Sequence, residues 1–85
     1  MATKTEKLRT ALLARGFTVT EHASQRECLT GLSVQGTPLW IWLDKMGGAR
    51  FSRSTRKGDA VALSGRTIAR LLEGKQSSLI PGGNP

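Results

Sequence analysis

The 85-residue sequence predicts an α+β fold: a single antiparallel sheet of three to four strands, with an N-terminal and a C-terminal helix on one face. Three observations predict it. Apolar residues recur at helical spacing near both ends of the chain. Between them the pattern changes to alternation and fills with β-branched residues, the mark of strands. The alternating segments are joined by short Gly- and Pro-containing turns, which favour antiparallel pairing, and two helices can cover one face of such a sheet.

The first element reads as a helix from Lys4 to Arg15. Thr3-Lys4-Thr5-Glu6 fits a capping box, Leu8, Ala11 and Leu12 form the apolar stripe with Leu13 beside it, and Gly16 is the stop. Phe17 to His22 alternates as a strand, with Phe17 and Val19 toward the core, and Ala23 to Glu27 reads as a polar turn. Cys28 to Val34 alternates again, with Cys28, Leu32 and Val34 on one side; Gly36-Thr37-Pro38 is a turn. Leu39 to Asp44 is the next strand, Lys45-Met46-Gly47-Gly48 a hairpin turn, and Ala49 to Ser54 a return strand. Thr55 to Asp59 reads as an exposed basic loop. The last helix starts at the N-cap Ser64, carries Ile68, Leu71 and Leu72 on its stripe and ends at Gly74. Residues 1–75 thus form one small basic domain. Residues 76–85, rich in Ser, Gly and Pro with only Leu79-Ile80 apolar, read as a flexible tail.

Composition bounds the function. Thirteen Lys and Arg against six Asp and Glu give a formal charge of +7, with a pI near 10.9. A field of that sign attracts polyanions, nucleic acid first among them, and equally an acidic protein surface. The apolar fraction is 38%. No apolar run approaches the roughly 20 residues needed to span a bilayer, and the polar start Met1 to Lys7 holds no signal-peptide core. A cytoplasmic protein without a membrane partner is expected. One cysteine, Cys28, and one histidine, His22, supply neither an internal disulfide nor a zinc ligand set, so no metal or other cofactor is expected. A chain of this size buries a modest core, which leaves self-association into a homodimer open.

The candidate site is Leu39-Trp40-Ile41-Trp42-Leu43. On a strand, Leu39, Ile41 and Leu43 share one face and both tryptophans share the other. With Met46-Gly47 as a two-residue turn, Trp42 lies opposite Phe51 and Trp40 opposite Arg53, and the indole face holds Trp40, Trp42, Phe51 and Arg53. A three-residue bulged turn flips that pairing. Aromatic rings on such a face stack on unpaired bases, and arginine adds phosphate contacts and guanidinium stacking. Arg50, Arg53, Arg56 and Lys57 form an acid-free cluster, and Arg66 and Arg70 lie one turn apart on the last helix. Two other readings stand beside this one: the tryptophans are structural, or they form a protein interface.

No catalytic constellation is expected. His22 stands alone and no phosphate-binding loop is present. The element order α-β-β-β-β-α resembles, in topology, the double-stranded-RNA-binding-domain-like folds, a group that includes the HicA-type RNA-cleaving toxins. Those toxins carry a Gly-Ser-His type motif on an early strand, whereas the corresponding stretch here is His22-Ala23-Ser24-Gln25-Arg26-Glu27. The resemblance therefore assigns no site residue. The function expected from sequence is a small basic non-enzymatic module that binds nucleic acid, RNA or single-stranded DNA. The alternative is a protein-binding modulator or inhibitor of the phage or mobile-element kind, docking on a host nucleic-acid-processing complex. A HicA-like ribonuclease using His22 ranks third.

Overall fold

A computed structural model of the chain describes residues 3–20, 28–54 and 59–82. The fold is α+β, as the sequence predicts, with one strand more: α1 (Lys4–Leu13), β1 (Thr18–Thr20), β2 (Cys28–Leu32), β3 (Pro38–Leu43), β4 (Ala49–Ser52), β5 (Val61–Ala62) and α2 (Gly65–Leu72). The strands form one antiparallel meander in the order β1-β2-β3-β4-β5. The added strand is the short Val61–Ala62, too brief to show a period in the sequence.

Both helices are bounded by local chemistry. The Thr3 hydroxyl accepts from the Glu6 N–H at 3.1 Å, and the Ser64 hydroxyl accepts from the Thr67 N–H at 3.1 Å. Each satisfies a backbone donor that the first helical turn leaves without an intrahelical partner. At the other end of α1, the Phe17 N–H donates to the Leu12 carbonyl and the Gly16 N–H to the Leu13 carbonyl, both at 3.1 Å. The same pair of bonds closes α2, from Lys75 to Arg70 and from Gly74 to Leu71. These are Schellman closures.

The two helices cover one face of the sheet. Leu8 and Leu12 of α1 and Ile68 and Leu71 of α2 join Leu29, Leu39, Ile41, Leu43 and Ala49 of the sheet in one buried cluster with Phe17, Leu63 and Ile80. The aliphatic trio of β3 therefore faces the helices, as its alternation requires. Phe17 lies so close over Gly31 that a Cβ there would meet the ring at 2.6 Å; the glycine makes room for the phenyl group. In β2 it is Leu29 that enters this core, while Leu32 is exposed, because the strand presents its odd-numbered residues to the helices. Val19 has the core-facing parity but lies on an edge strand beyond the helices and stays exposed.

The tail differs from its sequence reading up to Gly82. Ile80 is 0% exposed within the core, and the Leu79 carbonyl accepts from the Val34 N–H at 2.9 Å. The Ser77 hydroxyl accepts from the N–H groups of Leu79 and Ile80, at 3.2 and 2.8 Å, and so shapes the bend that inserts Ile80. Arg15 fastens this segment. Its guanidinium donates to the carbonyls of Ala11 (2.6 Å), Leu71 (3.0 Å), Lys75 (3.3 Å) and Pro81 (2.8 Å). Partial burial lowers the Arg15 pKa from its ordinary value, but arginine remains charged at any physiological pH. One side chain thus ties together the ends of both helices and the segment after them. Composition marked residues 76–85 as a flexible tail; through Gly82 a buried isoleucine, a bend-forming serine and the remote Arg15 hold the segment against the helices.

Candidate nucleic-acid interface

The geometry of the candidate site is set by the β3–β4 turn. Asp44 and Gly48 close it through an N–H···O bond of 3.1 Å, leaving Lys45-Met46-Gly47 as the loop. Gly47 has φ 84°, a conformation that favours glycine, as the three-residue bulged hairpin requires. The Asp44 carboxylate accepts from the N–H groups of Met46 (2.8 Å) and Gly48 (2.9 Å), which rigidifies the turn. Against it rests the first turn of α1: the Thr5 hydroxyl donates to the Asp44 carbonyl at 2.7 Å.

This turn corrects the expected pairing by one residue. Trp42 lies opposite Arg50, Trp40 opposite Ser52, and Ile41 opposite Phe51. Phe51 consequently leaves the indole face. It is half-buried and packs against the helix-side core. Arg53 does not stand over Trp40 either; that place belongs to Ser52. Arg50, not Arg53, is the guanidinium on the tryptophan side.

Two rows cross the face opposite α1 and α2. One runs Thr18, Thr30, Trp40, Ser52; the other runs Thr20, Cys28, Trp42, Arg50, Ala62. A third pair, Leu32 and Pro38, flanks the first row, and both residues are exposed. The tryptophans are not equivalent. Trp42 is only 2% exposed, and neither it nor the buried Cys28 belongs to the helix-side core. These two residues are buried on the opposite side of the sheet. Trp40 is half-buried and keeps part of its ring open, with exposed Thr18 in its row and exposed Arg50 in the next. Burial raises the Cys28 thiol pKa, outweighing a lowering contact with the Ile41 backbone. At neutral pH the sulfur is a protonated, packed side chain and not a nucleophile.

The remaining candidates disperse. Arg66 and Arg70 are exposed on α2, in the helical layer, so the sheet separates them from the tryptophans. Arg70 also donates from Nε to the Gln76 carbonyl at 2.6 Å. Arg56, Lys57 and His22 lie outside the described residues. Sequence reasoning missed the threonines of the first row; their signal was the alternation of Thr18, Val19 and Thr20, with hydroxyls on the side opposite the core. It also missed a cleft of about 310 Å³ lined by Phe51, Ser52, Arg53, Ser54, Asp59 and Val61.

Among the described residues no three His, Cys, Asp or Glu side chains converge as metal ligands, and no helix is long and apolar enough to cross a membrane. Comparison with protein-family models, curated proteins and solved structures gives no match to this chain.

Proposed function

We propose that this protein is a small, cytoplasmic, non-enzymatic module that binds RNA or single-stranded nucleic acid on the sheet face opposite α1 and α2. The carrying observation is Trp40: a partly open indole in the middle strand, in a row with Thr18 and Thr30 and beside Arg50. An indole of this kind stacks on a base, typically with about 1–3 kcal/mol per base. Hydroxyls accept or donate to sugar and phosphate, and the guanidinium pairs with phosphate. The net charge of +7 brings the polyanion to the face. Trp42 serves as the packed support of this surface. The test is fluorescence anisotropy of a labelled single-stranded RNA. Binding should weaken steeply with salt, and Trp40→Ala should reduce affinity by about 5- to 150-fold, the equivalent of one lost stack, while lowering the melting temperature far less than Trp42→Ala does. Unchanged affinity in Trp40→Ala rejects this face.

A second reading has its own observation. Leu32, 57% exposed, and exposed Pro38 extend the Trp40 row with apolar surface, as suits docking on a protein of a nucleic-acid-processing complex. Leu32→Asp would break such docking and leave oligonucleotide affinity nearly unchanged.

A further inference from the structure

The cleft at the ends of β4 and β5 brings together Phe51 and Arg53, which the corrected turn removed from the indole face, with Val61 and Asp59. Phe51 and Val61 are a direct cross-strand pair. The ring of Phe51 is half-buried against the core, while Val61 is 57% exposed. They give the cleft an apolar floor that stays open to solvent. Its volume, about 310 Å³, lies at the bottom of the roughly 300–1,000 Å³ range of small-molecule pockets. A single planar group fits that scale.

The polar lining is selective. Ser52 and Ser54 bond to one another, with the Ser52 hydroxyl also accepting the Ser54 N–H at 3.0 Å. Arg53 and Asp59 line the same cleft with opposite charges, yet among the described residues neither is engaged in an ion pair or hydrogen bond. A site for phosphate alone would exclude a carboxylate, because like charges repel. A cleft lined by both a carboxylate and a guanidinium suits a ligand that presents donors to one and acceptors to the other. Adenine and cytosine also combine a donor with acceptors, but guanine alone offers a carboxylate two adjacent donors. Its Watson–Crick edge offers the adjacent N1–H and N2–H donors, and its O6 and N7 acceptors match arginine.

We propose that this cleft is a base pocket selective for guanine in a single strand: the base lies on Phe51 and Val61, Asp59 accepts from N1–H and N2–H, and Arg53 holds O6 and N7 or the adjoining phosphate. The proposal rests on the nucleic-acid reading above and adds to it the base that is selected, at a cleft that adjoins the Trp40 row through Ser52.

Two measurements on the full chain test it. Amide chemical shifts are followed during titration with GMP and, separately, AMP. Anisotropy compares a labelled uridine-rich RNA carrying one guanine with the same RNA carrying inosine, which lacks the 2-amino group. GMP should shift the amides of Phe51, Asp59 and Val61 while AMP leaves them in place. Inosine should cost about tenfold in affinity, within the range of one bidentate base contact. Asp59→Asn should erase the difference between guanine and inosine, while Phe51→Leu keeps the fold and weakens binding of both. Equal affinity for the two RNAs, with GMP leaving the cleft amides unmoved, overturns the pocket and leaves the Trp40 face standing. GMP shifts at the cleft and a preference for guanine over inosine, with RNA affinity unchanged in Trp40→Ala, support the pocket and reject the sheet face instead. Absence of both responses overturns both.

Discussion

The two faces of the sheet are built from the same strands under different constraints. The helix side is closed by Leu8, Leu12, Ile68 and Leu71 over Leu29, Leu39, Ile41 and Leu43. The other side carries threonines, a serine, an arginine and two tryptophans, of which one is buried and one half-open. On the first face, residue identity is set by volume: methyl groups fill a closed space. The second is divided: Cys28, Trp42 and Ser52 are packed and buried, while Thr18, Trp40 and Arg50 keep surface that is available for contact with a partner. Neighbouring residues of β3 should therefore respond differently to the same substitution.

Trp42→Ala should produce the largest loss of stability. It removes a ring that is 2% exposed, and truncations of this kind cost about 3–5 kcal/mol; the midpoint of urea unfolding would show it. Trp40→Ala, two residues away on the same face, should cost well under half as much. Equal losses for the two would erase the distinction between support and contact surface.

Arg15→Ala should follow, with a loss on the order of 2–3 kcal/mol, since hydrogen bonds to a charged donor count for about 1.5–3 kcal/mol and several carbonyls lose their partner together. Amide hydrogen exchange should accelerate at Ile80 and at Val34, whose N–H bonds the Leu79 carbonyl. Arg15→Lys should recover only part of the loss, because an ammonium cannot span carbonyls on two helices and the following segment. Unchanged exchange at Ile80 would show that apolar packing alone holds the segment.

Gly31→Ala should cost about 1–3 kcal/mol by overpacking against the Phe17 ring. Pairing it with Phe17→Leu should return much of the loss. Without such rescue, the glycine would matter for backbone reasons and not for space.

The smallest effect concerns Cys28. Its buried thiol, with the pKa raised by desolvation, should resist a thiol-reactive dye in the native protein and react promptly in denaturant. Because its proton is held more tightly in the folded state, stability should fall slightly as pH rises past the ordinary thiol pKa, where only the unfolded chain releases the proton. Fast native labelling would mean that this side of the sheet opens readily.

The helices and the α+β class were legible because they rest on local signals. Thr3 and Ser64 cap, Gly16 and Gly74 stop, and Leu8, Leu12, Ile68 and Leu71 of the i, i+3, i+4 stripes point inward, whereas Leu72, read as part of the α2 stripe, stays exposed. The alternation of β3 also fixed which of its residues share a face. The membership of the candidate site was less legible. Phe51 and Arg53 were assigned to the tryptophans through a two-residue turn, and a loop longer by one residue sends every side chain of β4 to the other face. Asp44 decides between these turns through its bonds to Met46 and Gly48, and Gly47 supplies the conformation. Both were visible as residues, but not as a unique geometry.

By itself, the sequence determined the helix boundaries, the alternation of β3 and the basic field, because each depends on residues adjacent along the chain or on a simple sum of charges. The tertiary structure alone decided which tryptophan is buried, that Arg15 ties Ile80 and its neighbours onto the helices, and that Phe51 meets Asp59 in a cleft instead of Trp42 on a face. Those outcomes depend on strand register and on contacts between residues far apart in the chain, and a one-residue change in a single turn is enough to rearrange them.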